Sequence, residues 1–278
     1  MPDSQIRVAA VDFLNTLPLV AEFLDGRGPQ GYRLERTSPA ECAGRLARGE
    51  ADIALIPSVE YARIPGLRAL PEICIAAERE VRSVLLLSRR PVVEVQRVAV
   101  DPGSRTSVAL LALLLGRGRR PPPELAPWSG SAERALADHD AVLLIGDSAL
   151  RAPRAGLHVL DLASEWTAWT GRPFVFAFWA IRDGVVLPGP LDEFLAAQKR
   201  GLQTLDWRVA EAARRAGIGV EDARAYFHRH LHYQFGETEI SSLQHFYTLA
   251  AAAGLIPAVP TLRFFRDASG PAAARAAG

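Results

Sequence analysis

Short apolar runs alternate with amphipathic stretches along the first two thirds of the chain. Runs of this length predict buried strands, and apolar positions spaced three and four residues apart predict helices that pack on a sheet. Before residue 62 the pattern predicts strands at Ile6–Phe13, Tyr32–Thr37 and Ala51–Ile56, with helices at Leu17–Leu24 and after Ser38. This β-α-β-α-β order is typical of a parallel sheet covered by helices.

The second of these helices has clear start and stop signals. Ser38 is placed to cap it, Pro39 suits its first turn, and Glu41 is placed to complete a capping box. Gly49 then predicts its end.

The alternation continues to about residue 182, and helical patterns follow Pro190. Further strands are predicted at Glu72–Ala76, Val81–Ser88, Arg97–Val100, Leu125–Trp128, Ala141–Ile145, His158–Leu160 and Phe174–Ile181. Helices are predicted at Arg105–Leu115, Leu191–Leu205, Arg208–Ala216, Val220–His230 and Ile240–Ala253. The stretch Gly116–Pro123 is interpreted as a loop, and the residues after Ala268 are predicted to be disordered.

Two extended segments, near Ser88–Glu94 and Gly171–Phe176, are the predicted boundaries between two α/β lobes. We assign residues 1–92 and 176–278 to the first lobe, with a helical C-terminal part, and residues 93–175 to the second. Two chain crossings between such lobes create a cleft, and ligands of these folds bind at the carboxyl ends of strands.

Composition and charge exclude several classes of protein. The 278 residues carry 32 basic and 31 acidic side chains, so a net charge of +1 predicts no nucleic-acid partner. Lys199 is the only lysine, and we interpret the arginine excess as a coding bias. The sequence shows neither a signal peptide nor an apolar run that spans a bilayer, which predicts a soluble cytoplasmic protein. Cys42 and Cys74 lack metal-ligand spacing and are expected to be buried.

The segment Ser104–Ser107 is the most informative candidate for chemistry. It begins a helix, carries three hydroxyls and has no acidic residue after Asp101. Free amides at a helix start suit an anion, either a carboxylate or a phosphate. The alternative, which this segment alone favours, is that Ser104 caps the helix. The motifs of P-loop, dinucleotide-binding, serine hydrolase and zinc protease sites are absent from the sequence.

Other candidates each have a structural alternative. Glu60 and Asp147 follow predicted strands and are candidate acid/base carboxylates, or structural hydrogen-bonding groups. The three histidines of His228–His232 lie on a predicted helix, where alternate residues diverge by about 200°, so we expect no metal site. Trp169 and Trp179 are candidate walls for an aromatic ligand, or parts of the core.

Several phrases, in order and at consistent spacing, resemble the chorismate dehydratases, the first enzymes of the futalosine route to menaquinone. The resemblance covers about residues 6–255. It rests on FLNTLPL at 13–19, ECAGRLARGEADIALIPSVEY at 41–61, RSVLLLS at 82–88, VAVDPGSRTSVALL at 98–111, DAVLLIGDSAL at 140–150 and TGRPFVFAFWAIR at 170–182.

The resemblance implies a two-lobed fold like that of type II periplasmic binding proteins, with a ligand cleft between the lobes. It implies dehydration of chorismate to 3-[(1-carboxyvinyl)oxy]benzoate without a metal or an organic cofactor. The positions that contact the substrate in this family correspond to Asn15, Ser83 and Ser104–Thr106, with Ser58 and Gly146 nearby. The chain is expected to act on this small molecule as a monomer or homodimer, with no membrane partner.

Together, the residues and the resemblance predict a catalytic set and a binding set. The catalytic set is Asn15, Ser83 and Glu60, and the binding set is Ser58, Ser104, Arg105, Thr106, Ser107, Gly146, Asp147 and Trp179. The proton acceptor stays open between Glu60 and the substrate's own enolpyruvyl carboxylate. Two alternative functions are a 1,4-dihydroxy-6-naphthoate synthase of the same pathway and a non-catalytic carboxylate-binding module.

Overall fold

The computed structural model describes residues 5–118 and 121–266. In those ranges the chain forms two β-sheets with helices around them. The strands are β1 Ile6–Val11, β2 Tyr32–Thr37, β3 Ile53–Pro57, β4 Leu67–Ala77, β5 Val84–Ser88, β6 Arg97–Val100, β7 Glu124–Pro127, β8 Ala141–Ile145, β9 His158–Asp161, β10 Phe174–Arg182 and β11 His232–Phe235.

The helices occupy most of the predicted positions. They are α1 Leu17–Leu24, α2 Pro39–Arg48, α3 Arg105–Gly116, α4 Ala132–Asp138, α5 Gly146–Arg151, α6 Leu162–Thr170, α7 Leu191–Gln203, α8 Val209–Ala216, α9 Val220–Ala225 and α10 Glu237–Ala252. Short 3-10 turns lie at Leu14–Thr16, Ser58–Ala62, Val92–Glu94 and Leu205–Trp207, and a π-helical turn lies at Tyr226–His230.

The first sheet has the strand order β11-β4-β10-β3-β1-β2. β1 pairs in parallel with β2 and β3, as the alternation of its strands and helices predicts. β10 then inserts antiparallel between β3 and β4. The chain therefore returns to the first sheet after building the second one.

The second sheet has the order β7-β6-β8-β5-β9. β5 pairs antiparallel with β8 and β9, so it belongs to this sheet, although the predicted boundary near Ser88–Glu94 counted it with the first lobe. The first crossing lies between Ala77 and Val84 instead. An apolar strand alone does not identify its sheet, since β5 is buried on both faces: Val84 and Leu86 join one core cluster, and Leu85 and Leu87 another. The chain returns to the first sheet between α6 and β10.

The C-terminal part is less helical than predicted. The expected helix Val220–His230 changes from α9 to the π-helical turn, and the unpredicted strand β11 follows. β11 pairs with β4 and forms one edge of the first sheet. Four residues are too few for a strand pattern to stand out beside two helices.

The start of α2 confirms its cap but not its capping box. Ser38 Oγ accepts a hydrogen bond from the Glu41 backbone N at 3.3 Å, and Gly49 ends the helix at φ 73°. The Glu41 carboxylate instead binds the guanidinium groups of Arg45 and Arg48. Two nearby arginines on the same helix face compete successfully for that carboxylate.

Cys42 and Cys74 are both buried and free, as predicted. In residues 5–118 and 121–266, no helix is long and apolar enough to cross a membrane. The predicted disordered tail lies outside the described residues, as does part of the loop Gly116–Pro123.

Candidate functional site

A cavity with about 600 Å³ of empty space, which includes open solvent at its mouth, lies between the two sheets, where β1, β3, β6 and β8 end. The first sheet and its loops contribute Val11, Phe13, Asn15, Thr16, Pro39, Leu55, Pro57, Ile75, Phe176 and Ala177. The first crossing and the second sheet contribute Val81, Ser83, Val84, Gly103, Ser104, Arg105, Thr106, Ser107, Ile145 and Gly146.

Most of the predicted site residues meet in this cavity. Asn15 comes from the turn after β1, Ser83 from the first crossing, Ser104–Ser107 from the start of α3, and Gly146 from the start of α5. They are far apart in the chain and converge because the carboxyl ends of strands from both sheets face the same cleft, and the amino end of β5, antiparallel to β8, brings Ser83 beside them.

Ser104 occupies the N-cap position of α3 without capping it. Its side chain makes no cap hydrogen bond, and its residue is 2% exposed. Ser104 Oγ has no hydrogen-bond partner within the described part of the chain. A buried hydroxyl is costly to leave unpaired, so this one and the free amides of the first turn of α3 are suited to hold a ligand oxygen.

Ser58 and the Thr106 side chain connect the two lobes behind the cavity. Thr106 Oγ1 accepts from the Val59 backbone N at 3.1 Å and lies 3.5 Å from Ser58 Oγ. Ser58 Oγ donates to the Val175 carbonyl at 2.8 Å, and Ser58 is fully buried. Ser58 does not line the cavity, so its predicted substrate contact has no support in this geometry.

The two candidate carboxylates also lie outside the cavity. Glu60 pairs with Arg63 Nη1 at 2.8 Å. Asp147 Oδ1 accepts from the Leu14 backbone N at 3.0 Å and so ties α5 to the turn after β1. Burial raises the pKa of Asp147, while the bond from Leu14 acts against that rise. Both carboxylates match the structural alternative rather than an acid/base role.

The aromatic walls are phenylalanines rather than the predicted tryptophan. Phe13 and Phe176 line the cavity, whereas Trp179 is fully buried and meets Phe194 edge-on at 5.4 Å. The Phe13 ring lies against Gly146, where an added Cβ would come within 3.0 Å of it at φ +58°. Gly146 therefore shapes the cavity by allowing Phe13 to approach.

Trp169 does not line the cavity either. It meets Trp166 edge-on at 5.8 Å and lies under the Arg117 guanidinium.

Two buried tyrosines from the C-terminal part, Tyr226 and Tyr233, were missed as partners of lining residues, and a third, Tyr247, bonds to Ser58 outside the cavity. Tyr226 OH donates to Ser83 Oγ at 2.8 Å, and Tyr233 OH donates to the Asn15 carbonyl at 2.9 Å. Tyr247 OH donates to the Ser58 carbonyl at 2.6 Å. The sequence did contain a signal for these contacts. An entirely apolar core position favours phenylalanine, so a tyrosine there indicates that its buried phenol has a hydrogen-bond partner.

The histidines at 228, 230 and 232 pair with separate carboxylates. Their partners are Asp206, Glu80 and Glu239 respectively. In the described ranges, no group of three or more His, Cys, Asp or Glu side chains is arranged to hold a metal ion. Arg105 is the only ionisable side chain among the residues that line the cavity in the described chain.

A family of proteins described as acting in menaquinone biosynthesis matches residues 6–252. The chain belongs to this menaquinone biosynthesis family. A chorismate dehydratase of Thermus thermophilus is 36% identical over 212 residues, which cover 68% of this chain and 76% of the relative. These similarities confirm the resemblance drawn from the sequence phrases.

Solved structures confirm the periplasmic-binding-protein-like fold of this family member. A protein of Archaeoglobus fulgidus, 20% identical, superposes with a TM-score of 0.74 over 92% of this chain and all of the other. The periplasmic aliphatic sulphonate binding protein of Escherichia coli, 16% identical, has a TM-score of 0.61 over 95% of this chain and 92% of the other. At such low identity the likeness concerns the fold alone.

Proposed function

We propose that this protein is a chorismate dehydratase, a lyase that eliminates water from chorismate without a metal or organic cofactor. Membership of the menaquinone biosynthesis family and the 36% identity to a chorismate dehydratase support the reaction. The observation that carries the proposal is the unpaired, buried Ser104 hydroxyl at the start of α3, inside a cavity with phenylalanine walls. An anionic group and a flat ring are the two features of the substrate that such a cavity suits.

One carboxylate of the substrate binds at the start of α3 in this proposal. Ser104 Oγ and the first-turn amides donate to it, and the macrodipole of α3 favours its negative charge. Arg105, the cavity's cation, adds attraction for a second anionic group. Asn15, from the turn after β1, and Ser83, from the first crossing, hold the remaining polar groups.

The reaction removes the ring C3 proton and the C4 hydroxyl, and the two bonds that break yield one water and an aromatic ring. Aromatisation supplies the driving force, so the protein mainly orients the substrate and excludes water. The residues that line the cavity in the described chain include no Asp, Glu or His. This favours the enolpyruvyl carboxylate of the substrate as the proton acceptor, because its oxygen can reach the C3 proton through a six-membered ring that includes that proton.

The direct test incubates the purified protein with chorismate and follows the new benzoate by mass spectrometry. Heat-denatured protein provides the control for spontaneous rearrangement of chorismate. The proposal expects product from the native protein, and large losses of turnover in Asn15→Ala and Ser83→Ala. Unchanged turnover in either variant would remove that residue from the site.

The same experiment separates the alternatives. Chorismate that binds in calorimetry but is recovered intact would indicate a binding module. Conversion of a cyclic futalosine derivative, with chorismate left unchanged, would indicate a naphthoate synthase. Either result would overturn the proposed dehydration.

A further inference from the structure

We propose that Tyr226 is a positioning residue that makes Ser83 present its hydroxyl hydrogen to the cavity. This inference rests on the proposed function for its reaction, but the geometry behind it is independent. Tyr226 is 1% exposed and starts the π-helical turn Tyr226–His230. Its side chain reaches from the C-terminal part to the first crossing, where its OH lies 2.8 Å from Ser83 Oγ.

The phenol keeps its proton at neutral pH. Burial raises the pKa of Tyr226, and the hydrogen bond with Ser83 only partly opposes that rise. The phenol therefore acts as a neutral group with one hydrogen to donate and lone pairs to accept. Its hydrogen goes to Ser83 Oγ.

This bond determines what Ser83 can do in the cavity. A serine hydroxyl has one hydrogen, and Tyr226 already donates to one of its lone pairs. The Ser83 hydrogen is then free to point to a ligand in the cavity that Ser83 lines. Without Tyr226, the same hydrogen could turn to other acceptors.

A second buried tyrosine fixes the turn that carries Asn15. Tyr233 OH donates to the Asn15 carbonyl at 2.9 Å. Thr16 Oγ1 donates to Asn15 Oδ1 at 3.3 Å, which places the amide oxygen of Asn15 on the Thr16 side. Tyr226 therefore acts on Ser83, while Asn15 is held by other contacts.

A donor held in one direction suits an oxygen that becomes more negative during the reaction. In the proposed dehydration that oxygen is the C4 hydroxyl, which takes the electron pair of the breaking C–O bond and leaves with a proton as water. Donors held in place before the reaction stabilise this charge without reorganising. Tyr226 therefore affects kcat more than KM.

The test is a double-mutant cycle of Tyr226→Phe and Ser83→Ala with chorismate as substrate. We expect Tyr226→Phe to lower kcat at least about 10-fold, with KM changed less than about threefold. The double variant should be no slower than Ser83→Ala within about twofold, because Tyr226 acts through Ser83. A kcat within twofold of wild type in Tyr226→Phe, or losses that multiply, would overturn the proposal.

Tyr247→Phe is the matched control. It also removes one buried phenol OH from the C-terminal part, but its partner is the Ser58 carbonyl, outside the cavity. We expect it to lower Tm about as much as Tyr226→Phe does, with kcat within about twofold of wild type. An equal loss of kcat in both variants would mean a structural effect only and would overturn the proposal.

A second readout separates this proposal from the proposed function. If the wild-type protein does not convert chorismate, the proposed dehydration is wrong. The same double-mutant cycle is then carried out with the Kd for benzene-1,3-dicarboxylate, measured by calorimetry. Coupled losses of affinity at Tyr226 and Ser83 would support the positioning role. Independent losses, an unchanged Kd or no binding by the wild type would overturn it.

Discussion

Ser38 and Ser104 occupy the same position at the starts of two helices and perform different tasks. Ser38 Oγ accepts from the backbone N of Glu41 and closes the first turn of α2. Ser104 Oγ makes no such bond and is buried at the cavity. Both residues are serines at an N-cap position, so their different roles come from the surroundings of each helix start.

The loop before α3 explains how its start stays open. Asp101 Oδ1 accepts from the Gly103 backbone N at 2.8 Å, and the Asp101 carbonyl accepts from the Ser104 backbone N at 2.9 Å. The loop is therefore stabilised without the Ser104 hydroxyl. Burying an unpaired hydroxyl costs about 1–3 kcal/mol, a cost that a bound carboxylate would offset.

The largest expected effect is on activity in Ser104→Ala. A hydrogen bond to a charged group contributes about 1.5–3 kcal/mol, so kcat/KM should fall about 10- to 100-fold. The stability of the free protein should not fall and should rise by up to about 1–3 kcal/mol, since the variant lacks the buried hydroxyl that has no partner among the described residues. Chorismate kinetics and urea unfolding measure the two quantities. A stability loss with full activity would make Ser104 an ordinary cap and remove the contrast with Ser38.

A cluster of Asp52, Arg7 and Arg182 lies at the amino end of β3, where the charged groups pair with one another. In contrast to Ser104, it is expected to affect stability and not activity. Burial acts to raise the pKa of Asp52, but hydrogen bonds from Arg7 and Arg182 outweigh it and lower the pKa to about 2. Asp52→Asn should cost about 2 kcal/mol at pH 7 and leave kcat unchanged.

The pH dependence of this loss has a definite sign. A carboxyl with a depressed folded-state pKa stabilises the protein above its unfolded pKa, about 3.9, and this contribution disappears as the pH falls through the folded value. The difference in unfolding free energy between wild type and Asp52→Asn should narrow from pH 5 towards pH 2.5. Urea unfolding across that range checks it, and a constant difference would contradict the role of the charge.

Ser38→Ala should show the opposite pattern from Ser104→Ala. Loss of the cap bond to Glu41 should lower the unfolding free energy by about 1 kcal/mol, the usual contribution of a serine cap. Turnover should be unchanged, because Ser38 does not line the cavity. Urea unfolding and a chorismate assay on the same preparation measure both. Loss of turnover without loss of stability would show that Ser38 supports activity and not helix stability, which would contradict the contrast with Ser104.

Glu60→Gln has the smallest expected effect. Glu60 pairs with Arg63 and lies outside the cavity, so turnover should stay within about twofold of wild type. The measurement is kcat, together with substrate affinity by calorimetry. Near-complete loss of kcat with affinity retained would make Glu60 the proton acceptor and would exclude the substrate-assisted reaction.

The fold was predictable where local patterns determine it. The parallel pairing of β1, β2 and β3 follows from alternating strands and helices, and the phrases from FLNTLPL onwards indicated two lobes around a cleft. The sheet of β5 was not predictable from its own residues, since a strand buried on both faces suits either sheet. β11 was missed because four residues between helices carry too little pattern.

The site was predictable to a smaller extent. Asn15, Ser83 and Gly146 are in the cavity that the resemblance implies. Ser58, Glu60 and Asp147 follow strands just as the lining residues do, but their side chains point into structural contacts instead. Adjacent side chains at the end of a strand point in different directions, so a shift of one residue decides whether a side chain lines the cavity or makes a structural contact. The sequence alone does not reveal this direction.

The sequence by itself determined the class of fold, the family and the segments that supply the site, because these depend on patterns and phrases read along the chain. Only the tertiary structure decided which side chains face the cavity. Among the described residues it left the Ser104 hydroxyl without a hydrogen-bond partner, and it brought Tyr226 to Ser83 across 143 positions of the chain. Hydrogen-bond partners so distant in sequence are set by the packing of the C-terminal part on the first crossing, and no local pattern encodes that packing.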